Sequence, residues 1–476
     1  MIFNSFQFLW LFPLIFVGYY FLPCLFTRSK ERRSDIANKL LLVISYALYM
    51  QWNAAYALIL LGVTAVTYGF ALWIERQEAD RHRRKLLIVC GATLALVPLL
   101  VFKYYNFILR SVEEAFSLSP IQGLNWAIPI GISFFTFQAV GYLFDVYYRR
   151  IQAERNWWDY MLFVSFFPQI LSGPISKAAS LLPQIKANRS FDAEKAVQGL
   201  KWMLWGMFLK VVMADRLGLY VDKVFDNYVY NSGSTCLLAS IFYTFQIYGD
   251  FAGYSFLAIG VGRLMGFDLI NNFRQPYLSV SITDFWRRWH ISLSTWLKDY
   301  VYIPLGGSRC SKLRNYFNIF ITFLVSGIWH GANWTFIAWG VLHGILQIIE
   351  KVLNLQKSQA KGLKRVGRIL VTFALVNFAW ILFRMPGIED AWHVIAKIFT
   401  DLPSEVFMSS RTNLLFSFLS ILTVITVDCV NEFAPDNRLL MASKNRVIRW
   451  STYIVLAFAV LLCGVFDSGQ FIYVSF

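Results

Sequence analysis

Charge is what this sequence has least of. Only 15% of its 476 residues are Asp, Glu, Lys or Arg, against about a quarter in an ordinary soluble domain, and that excludes a conventional water-soluble fold. Linkers are missing as well. No Gly/Ser/Pro-rich stretch or shift of composition divides the chain, so the several tethered domains usual at this length are not expected. The six cysteines (Cys24, Cys90, Cys236, Cys310, Cys429, Cys463) show no paired metal-ligand spacing. The expectation is no metal site, with the thiols acting as small buried apolar groups. The first apolar run has no basic segment before it and no small-residue cleavage site after it, so it reads as a retained anchor and not as a signal peptide.

Apolar side chains fill the gap: the chain is 57% hydrophobic and 18% aromatic. A helix needs roughly 20 apolar residues to cross a bilayer. Runs that meet or approach this lie at 5–26, 87–109, 127–147, 236–249, 369–383, 412–430 and 450–466. The chain therefore reads as an all-α polytopic membrane protein, a single integral-membrane domain over residues 1–476. Its formal charge of +16 raises the question of nucleic acid, but most of its 44 Lys and Arg fall in six segments, 28–39, 76–85, 149–201, 263–314, 351–368 and 438–449. Basic loops of a membrane protein report orientation. Placing all six in the cytoplasm yields about ten to twelve crossings with both termini outside and needs no nucleic acid. Some segments read as re-entrant, such as 40–74, broken by "QWNA", and 159–175, broken by Pro168 and Pro174.

The stretch "FLVSGIWHGANWTFIAWG", residues 323–340, places His330 and Asn333 in an otherwise apolar hairpin between basic residues ending at Arg314 and resuming at Lys351. About 15 residues per arm give roughly 22 Å of rise, short of a hydrocarbon core of about 30 Å, so the bend is expected inside the membrane. Gly327 and Gly331 permit a broken or tightly packed helix there, tolerable only beside a protein cavity. An intramembrane imidazole is a functional candidate; the alternative is a structural histidine bonded to a neighbouring carbonyl. Asn333 is either a donor to a developing oxyanion or a helix cap. Of the other four histidines, His82 and His393 read as solvated, and His343 is ambiguous, with packing favoured.

His290 lies in "SITDFWRRWHISLSTWLKDYVYIPLGG", residues 281–307. At helical spacing Phe285, Trp286, Trp289, Leu293, Trp296, Leu297 and Tyr300 share one face. Asp284, Arg287, Arg288, Ser292, Thr295, Lys298 and Asp299 share the other. This predicts an amphipathic helix along the cytoplasmic interface, capped by Ser281 or Thr283, with His290 at the edge of its apolar face. Arg287 and Arg288 are interfacial anchors or phosphate ligands. Upstream, Asp250 sits in an apolar run and needs a partner or a cavity, a histidine or Arg263. The glycines at 249, 253, 260 and 262 suit close helix contact better than phosphate binding.

Taken together, "PIGISFFTFQAVGYLFDVYYRR" (129–150), "FFPQILSGPI" (166–175), "QIYGDFAGYSFLAIGVGRLMGF" (246–267), the 281–307 segment and "SGIWHGANWTFIAWGVLHG" (326–344) resemble the membrane-bound O-acyltransferase family. The likeness is greatest to its bacterial alginate O-acetyltransferase type. It covers most of 129–344, the expected catalytic core, and the last two segments are highly specific. The closing "GQFIYVSF" also looks like the family's C-terminal end. Phe256 departs from the pattern, standing where alginate-type members often carry an acid. The resemblance implies a ring of tilted helices around a thin, tunnelled centre, with His330 catalytic and His290 the second functional histidine. It also implies relay of an acetyl group to an extracytoplasmic partner that modifies a polysaccharide.

The residues can support that chemistry. Acetyl-CoA cannot cross a bilayer, and the basic cytoplasmic face suits an anionic donor. A neutral imidazole can take a proton near physiological pH, so the expectation is His330 as general base and His290 orienting the thioester. D-alanyl transfer from a carrier protein to teichoic acid is the alternative within acyl transfer. An ion- or proton-coupled transporter is the alternative outside it, and the absence of an internal repeat argues against that.

Overall fold

The computed structural model describes residues 3, 5–77, 79–170, 173–357, 361–434, 441 and 443–466. Residues 171–172 of the "FFPQILSGPI" motif, the closing "GQFIYVSF" and parts of the last two basic segments lie outside the described residues. The described residues form helices and no strands, in two compact units. The first comprises residues 1–200 with 258–270, the second 201–257 with 271–476.

In chain order the helices are α1 (Phe6–Phe26), α2 (Lys30–Met50), α3 (Ala54–Arg76), α4 (Arg81–Phe116), α5 (Ile132–Tyr147), α6 (Trp157–Ser165), α7 (Phe167–Ile170), α8 (Ala178–Lys186), α9 (Ala193–Met207) and α10 (Asp215–Phe225). Then follow α11 (Gly233–Leu264), α12 (Ile282–Arg288), α13 (Ile291–Leu297), α14 (Lys312–His330), α15 (Trp334–Val352), α16 (Gly362–Arg384), α17 (Ile388–Thr400), α18 (Arg411–Phe433) and α19 (Arg446–Cys463). Seven of them (α1, α3, α4, α15, α16, α18 and α19) are long and apolar enough to cross a membrane. The helices α2, α11 and α14 have comparable length but carry charged residues within it. The protein is a multi-pass membrane protein, and its outward faces agree. Leu25 is 79% exposed, Leu363 87% and Leu462 77%, an apolar surface that only a bilayer would cover.

Three expectations change here. The stretch 40–74 is two helices and not one re-entrant segment: α2 ends at Met50, and Asn53 starts α3 by accepting from the Ala55 N–H at 2.9 Å. The cysteines are mostly not buried. Cys236 is, but Cys24, Cys90 and Cys310 are exposed. Cys24 and Cys90 lie on helices that qualify as membrane spans, where an apolar thiol is as well placed against lipid as in a core. The hairpin arms α14 and α15 have 19 residues each, about 28 Å of rise. They absorb the flanking basic residues into their ends, and so reach further than the apolar spacing predicts.

Four features of the second unit position the site. The glycines of α11 permit contact: a Cβ on Gly253 would lie 2.8 Å from the Gly206 carbonyl oxygen, so α9 and α11 meet backbone to backbone. The hairpin crosses in the same way, since a Cβ on Gly327 would lie 2.5 Å from the Phe336 carbonyl oxygen and 3.1 Å from the Gly340 Cα. Gly327→Ala is therefore expected to destabilise the protein by about 1–3 kcal/mol, the usual cost of overpacking, as read by denaturant titration in mixed micelles; an unchanged midpoint would contradict this crossing. Ahead of α10 the chain runs through a π-helical turn, Phe208–Ala214, in which the Asp215 N–H bonds back to the Lys210 carbonyl. Finally α12 is capped twice. Ser281 accepts from the Asp284 N–H at 3.0 Å, and Glu350 of α15 accepts from the Thr283 N–H and hydroxyl, both at 3.0 Å, so carboxylate charge meets the positive end of the helix.

Candidate active site

The predicted interfacial helix is not continuous. It breaks at Trp289–His290, with His290 in the left-handed region at φ 44°, a conformation that costs a non-glycine residue about 1–3 kcal/mol. The segment 272–274 holds the break open. The Arg274 N–H takes the Arg288 carbonyl at 2.9 Å, the Asn272 carbonyl accepts from the Ile291 N–H at 3.0 Å, and the Asn272 side chain accepts from the Ser292 N–H at 3.1 Å. The predicted apolar face holds: Phe285, Trp286, Trp289, Leu293, Trp296, Leu297 and Tyr300 are all buried. His290 does not stay at its edge. The turn drives the imidazole fully inside (0% exposed), edge-on to Phe251 at 4.6 Å and 6.0 Å from the Trp329 ring.

His330 ends α14 and is 2% exposed. Its Nδ1 lies 2.7 Å from the Ser326 carbonyl oxygen. A carbonyl can only accept, so in the neutral ring Nδ1 carries the proton and Nε2 keeps its lone pair. The alternative left open by the sequence, a histidine bonded to a neighbouring carbonyl, thus describes one of its two ring nitrogens. Trp329, Trp339 and Phe383 pack edgewise on the ring at centroid distances of 4.9, 4.8 and 5.6 Å. His290 and His330 therefore both approach the same indole, that of Trp329.

The other sequence candidates do not gather there. Asn333 is a cap: its Oδ1 accepts from the Thr335 N–H at 3.0 Å and its Nδ2 donates to the Pro386 carbonyl at 2.8 Å, which commits both ends of the amide. Arg288 is committed too, to Glu432 at 2.7 and 3.2 Å and Asp284 at 3.0 Å, while Arg365 reaches Glu432 from the other side at 2.7 Å. A guanidinium filled by carboxylates has little left for phosphate. Arg287 is exposed. The partner found for Asp250 is a lysine: Lys210 Nζ lies 2.6 Å from Asp250 and 2.6 Å from Asp215, all three buried. Phe256 packs on Trp202 at 4.8 Å.

Two buried polar residues nearby were not placed in the site by the sequence reading. Lys210 was one of the basic residues scattered outside the six clusters, a weak hint that it serves something other than orientation. His343 of α15 is fully buried, with its Nδ1 accepting from the Trp286 indole N–H at 3.2 Å. It lies 4.9 Å from Trp339, the ring that also packs on His330. Three of the five histidines thus lie in one buried cluster of aromatic rings. Among the described residues no group of three His, Cys, Asp or Glu side chains is arranged to hold a metal ion.

Comparison with known proteins finds relatives over most of the chain. The model of the membrane-bound O-acyltransferase family matches residues 148–386, a span that includes all three chamber histidines. The chain is 38% identical over 417 residues to the probable alginate O-acetylase of Pseudomonas aeruginosa, covering 87% of this chain and 78% of that one. It is 36% identical to the peptidoglycan O-acetyltransferase of Helicobacter pylori over 83% of this chain and 79% of the relative. Against the teichoic acid D-alanyltransferase of Streptococcus thermophilus the identity is 28%, over 67% of this chain and 81% of the relative.

Proposed function

Because the chain belongs to the membrane-bound O-acyltransferase family and is an O-acetyltransferase, we propose that it takes acetyl groups from cytosolic acetyl-CoA and passes them across the membrane. An extracytoplasmic acetyltransferase partner then receives them and O-acetylates a polysaccharide. In this reading the six basic segments face the cytoplasm of a bacterial inner membrane, and both termini lie outside. The names of the relatives acting on alginate and peptidoglycan support a polymer outside the cell as the final acceptor.

The observation that carries the reading is the tautomer of His330, whose Nδ1–H bond to the Ser326 carbonyl leaves the lone pair on Nε2 in a buried aromatic setting. There the imidazole takes the proton of the acceptor hydroxyl as its oxygen attacks the thioester carbonyl carbon. The tetrahedral intermediate collapses by breaking the C–S bond. The protonated ring returns its proton to the departing thiolate, leaving an O-acetyl ester and the CoA thiol. His290, packed on the same Trp329 ring, orients the thioester. Since Arg288 is engaged by Glu432 and Asp284, Arg287 is the basic side chain of this pair that meets the phosphates of the donor.

The test is release of CoA thiol from acetyl-CoA by the purified protein in lipid nanodiscs with its extracytoplasmic partner. Release is expected. No release, together with transfer of D-alanine from a carrier protein, would replace the donor by the one that the teichoic acid relative's name points to.

A further inference from the structure

The chamber needs a hydrogen-bond donor for the oxyanion of the tetrahedral intermediate, and the amide of Asn333, the obvious candidate, is already spent on a helix N-terminus and on Pro386. Resting on the acyl-transfer reading above, we propose that His343 supplies this donor, through its Nε2–H. The tautomer follows from geometry. An indole N–H only donates, so Trp286 Nε1 at 3.2 Å makes His343 Nδ1 the acceptor and puts the proton of the neutral ring on Nε2. That nitrogen is buried, and among the described residues it has no hydrogen-bond partner. Buried polar groups are nearly always partnered, so a donor presented this way fits an acceptor oxygen that the polypeptide does not provide.

The surroundings point the same way. Phe285 and Phe323 lie nearly parallel to the His343 ring at 6.5 and 6.3 Å, which holds its plane, and the Trp286 bond fixes its rotation. Trp339 packs on both His343 and His330, at 4.9 and 4.8 Å, and its own indole N–H is also buried without an acceptor among the described residues. Two buried donors thus stand in the same cluster of rings as the proposed base, and a reacting carbonyl needs base and donor each about 3 Å from its own reacting atom. The ligand class is a carbonyl oxygen that gains negative charge, here that of the acyl thioester.

Two nearly isosteric variants test this. His343→Gln keeps both roles, an oxygen to accept from Trp286 and an N–H to donate; His343→Met keeps the length and neither role. Both are assayed in nanodiscs for thioester turnover, using whichever of acetyl-CoA and a D-alanyl carrier protein the wild type consumes. Melting temperatures confirm equal folding. His343→Met is expected to lose about 10²–10³-fold in kcat, the usual cost of one oxyanion donor, with little change in KM. His343→Gln should recover a large part of that loss. Equal kcat in the two variants, or His343→Met within a few-fold of wild type, would overturn the proposal. Turnover of the D-alanyl carrier alone would overturn acetyl-CoA as donor and leave the His343 comparison decisive on that substrate. A wild type that consumes neither thioester would overturn both.

Discussion

Turnover in His330→Ala is expected to fall by about 10²–10⁴-fold, the range supplied by a positioned general base. The ring does two things that alanine does neither of: Nδ1 binds the Ser326 carbonyl and Nε2 presents a lone pair. The substitution also removes packing on Trp329, Trp339 and Phe383, so lost activity alone would not separate chemistry from collapse. His330→Gln decides it. Glutamine fills much of the space and can donate to Ser326, but its amide is no base. If the glutamine variant melts like wild type and still loses turnover, the role is proton transfer. Wild-type turnover in the glutamine variant would remove His330 from the mechanism. Binding of acetyl-CoA should change much less than kcat in either variant, because the proton moves only in the transition state.

The second large effect concerns stability. Lys210 is 1% exposed and holds two buried carboxylates, Asp250 and Asp215, at 2.6 Å each. Lys210→Met takes away the ammonium that both share. Breaking a buried pair in this way costs about 3–5 kcal/mol, mainly through the charge left behind, and here two acids lose their common cation. The variant is expected to unfold at markedly lower denaturant, and neutralising the acids as well, with Asp250→Asn and Asp215→Asn, should recover most of the loss. A single Lys210→Met that unfolds like wild type would show that the cluster contributes nothing to stability. Phe251, the residue after Asp250, packs edge-on against His290 at 4.6 Å. A disturbed cluster should therefore also be felt in turnover.

Periodicity foretold the helical, multi-spanning layout of this fold. The apolar face of 281–300, the hairpin at 331–333 and the candidacy of His330 could be read from spacing and from an ionisable group in an apolar run, whereas His290, at an unremarkable edge of its face, was marked by the family resemblance. What spacing does not encode is which polar group meets which across the fold. Arg288 finds Glu432, 144 residues away, His343 finds Trp286, 57 away, and Lys210 finds Asp250, 40 away. Each of these choices is made by packing. The left-handed turn at His290 was equally hidden, because its cause is a clamp from Asn272 and Arg274 and not a glycine in the 281–300 segment. Asn333 shows the converse: capping was one of its two local readings, and local chemistry decided it.

The π-helical turn at Phe208–Ala214 bears on how this gene can change. Residues five apart on an α-helix point about 140° away from each other, so Lys210 and Asp215 would face different neighbours on a regular helix. The wider turn, closed by the Asp215 N–H on the Lys210 carbonyl, acts as one inserted residue and brings the two together. All seven residues of the turn are buried, so point substitutions there should be confined to side chains of similar size. Loss of a single codon between 211 and 214 should be borne better: regular helix would return with the lysine and the aspartate four apart, still on one face, and the residues after it would keep their facing. Among variants that survive selection, this stretch is expected to lose its extra residue more readily than to accept large replacements.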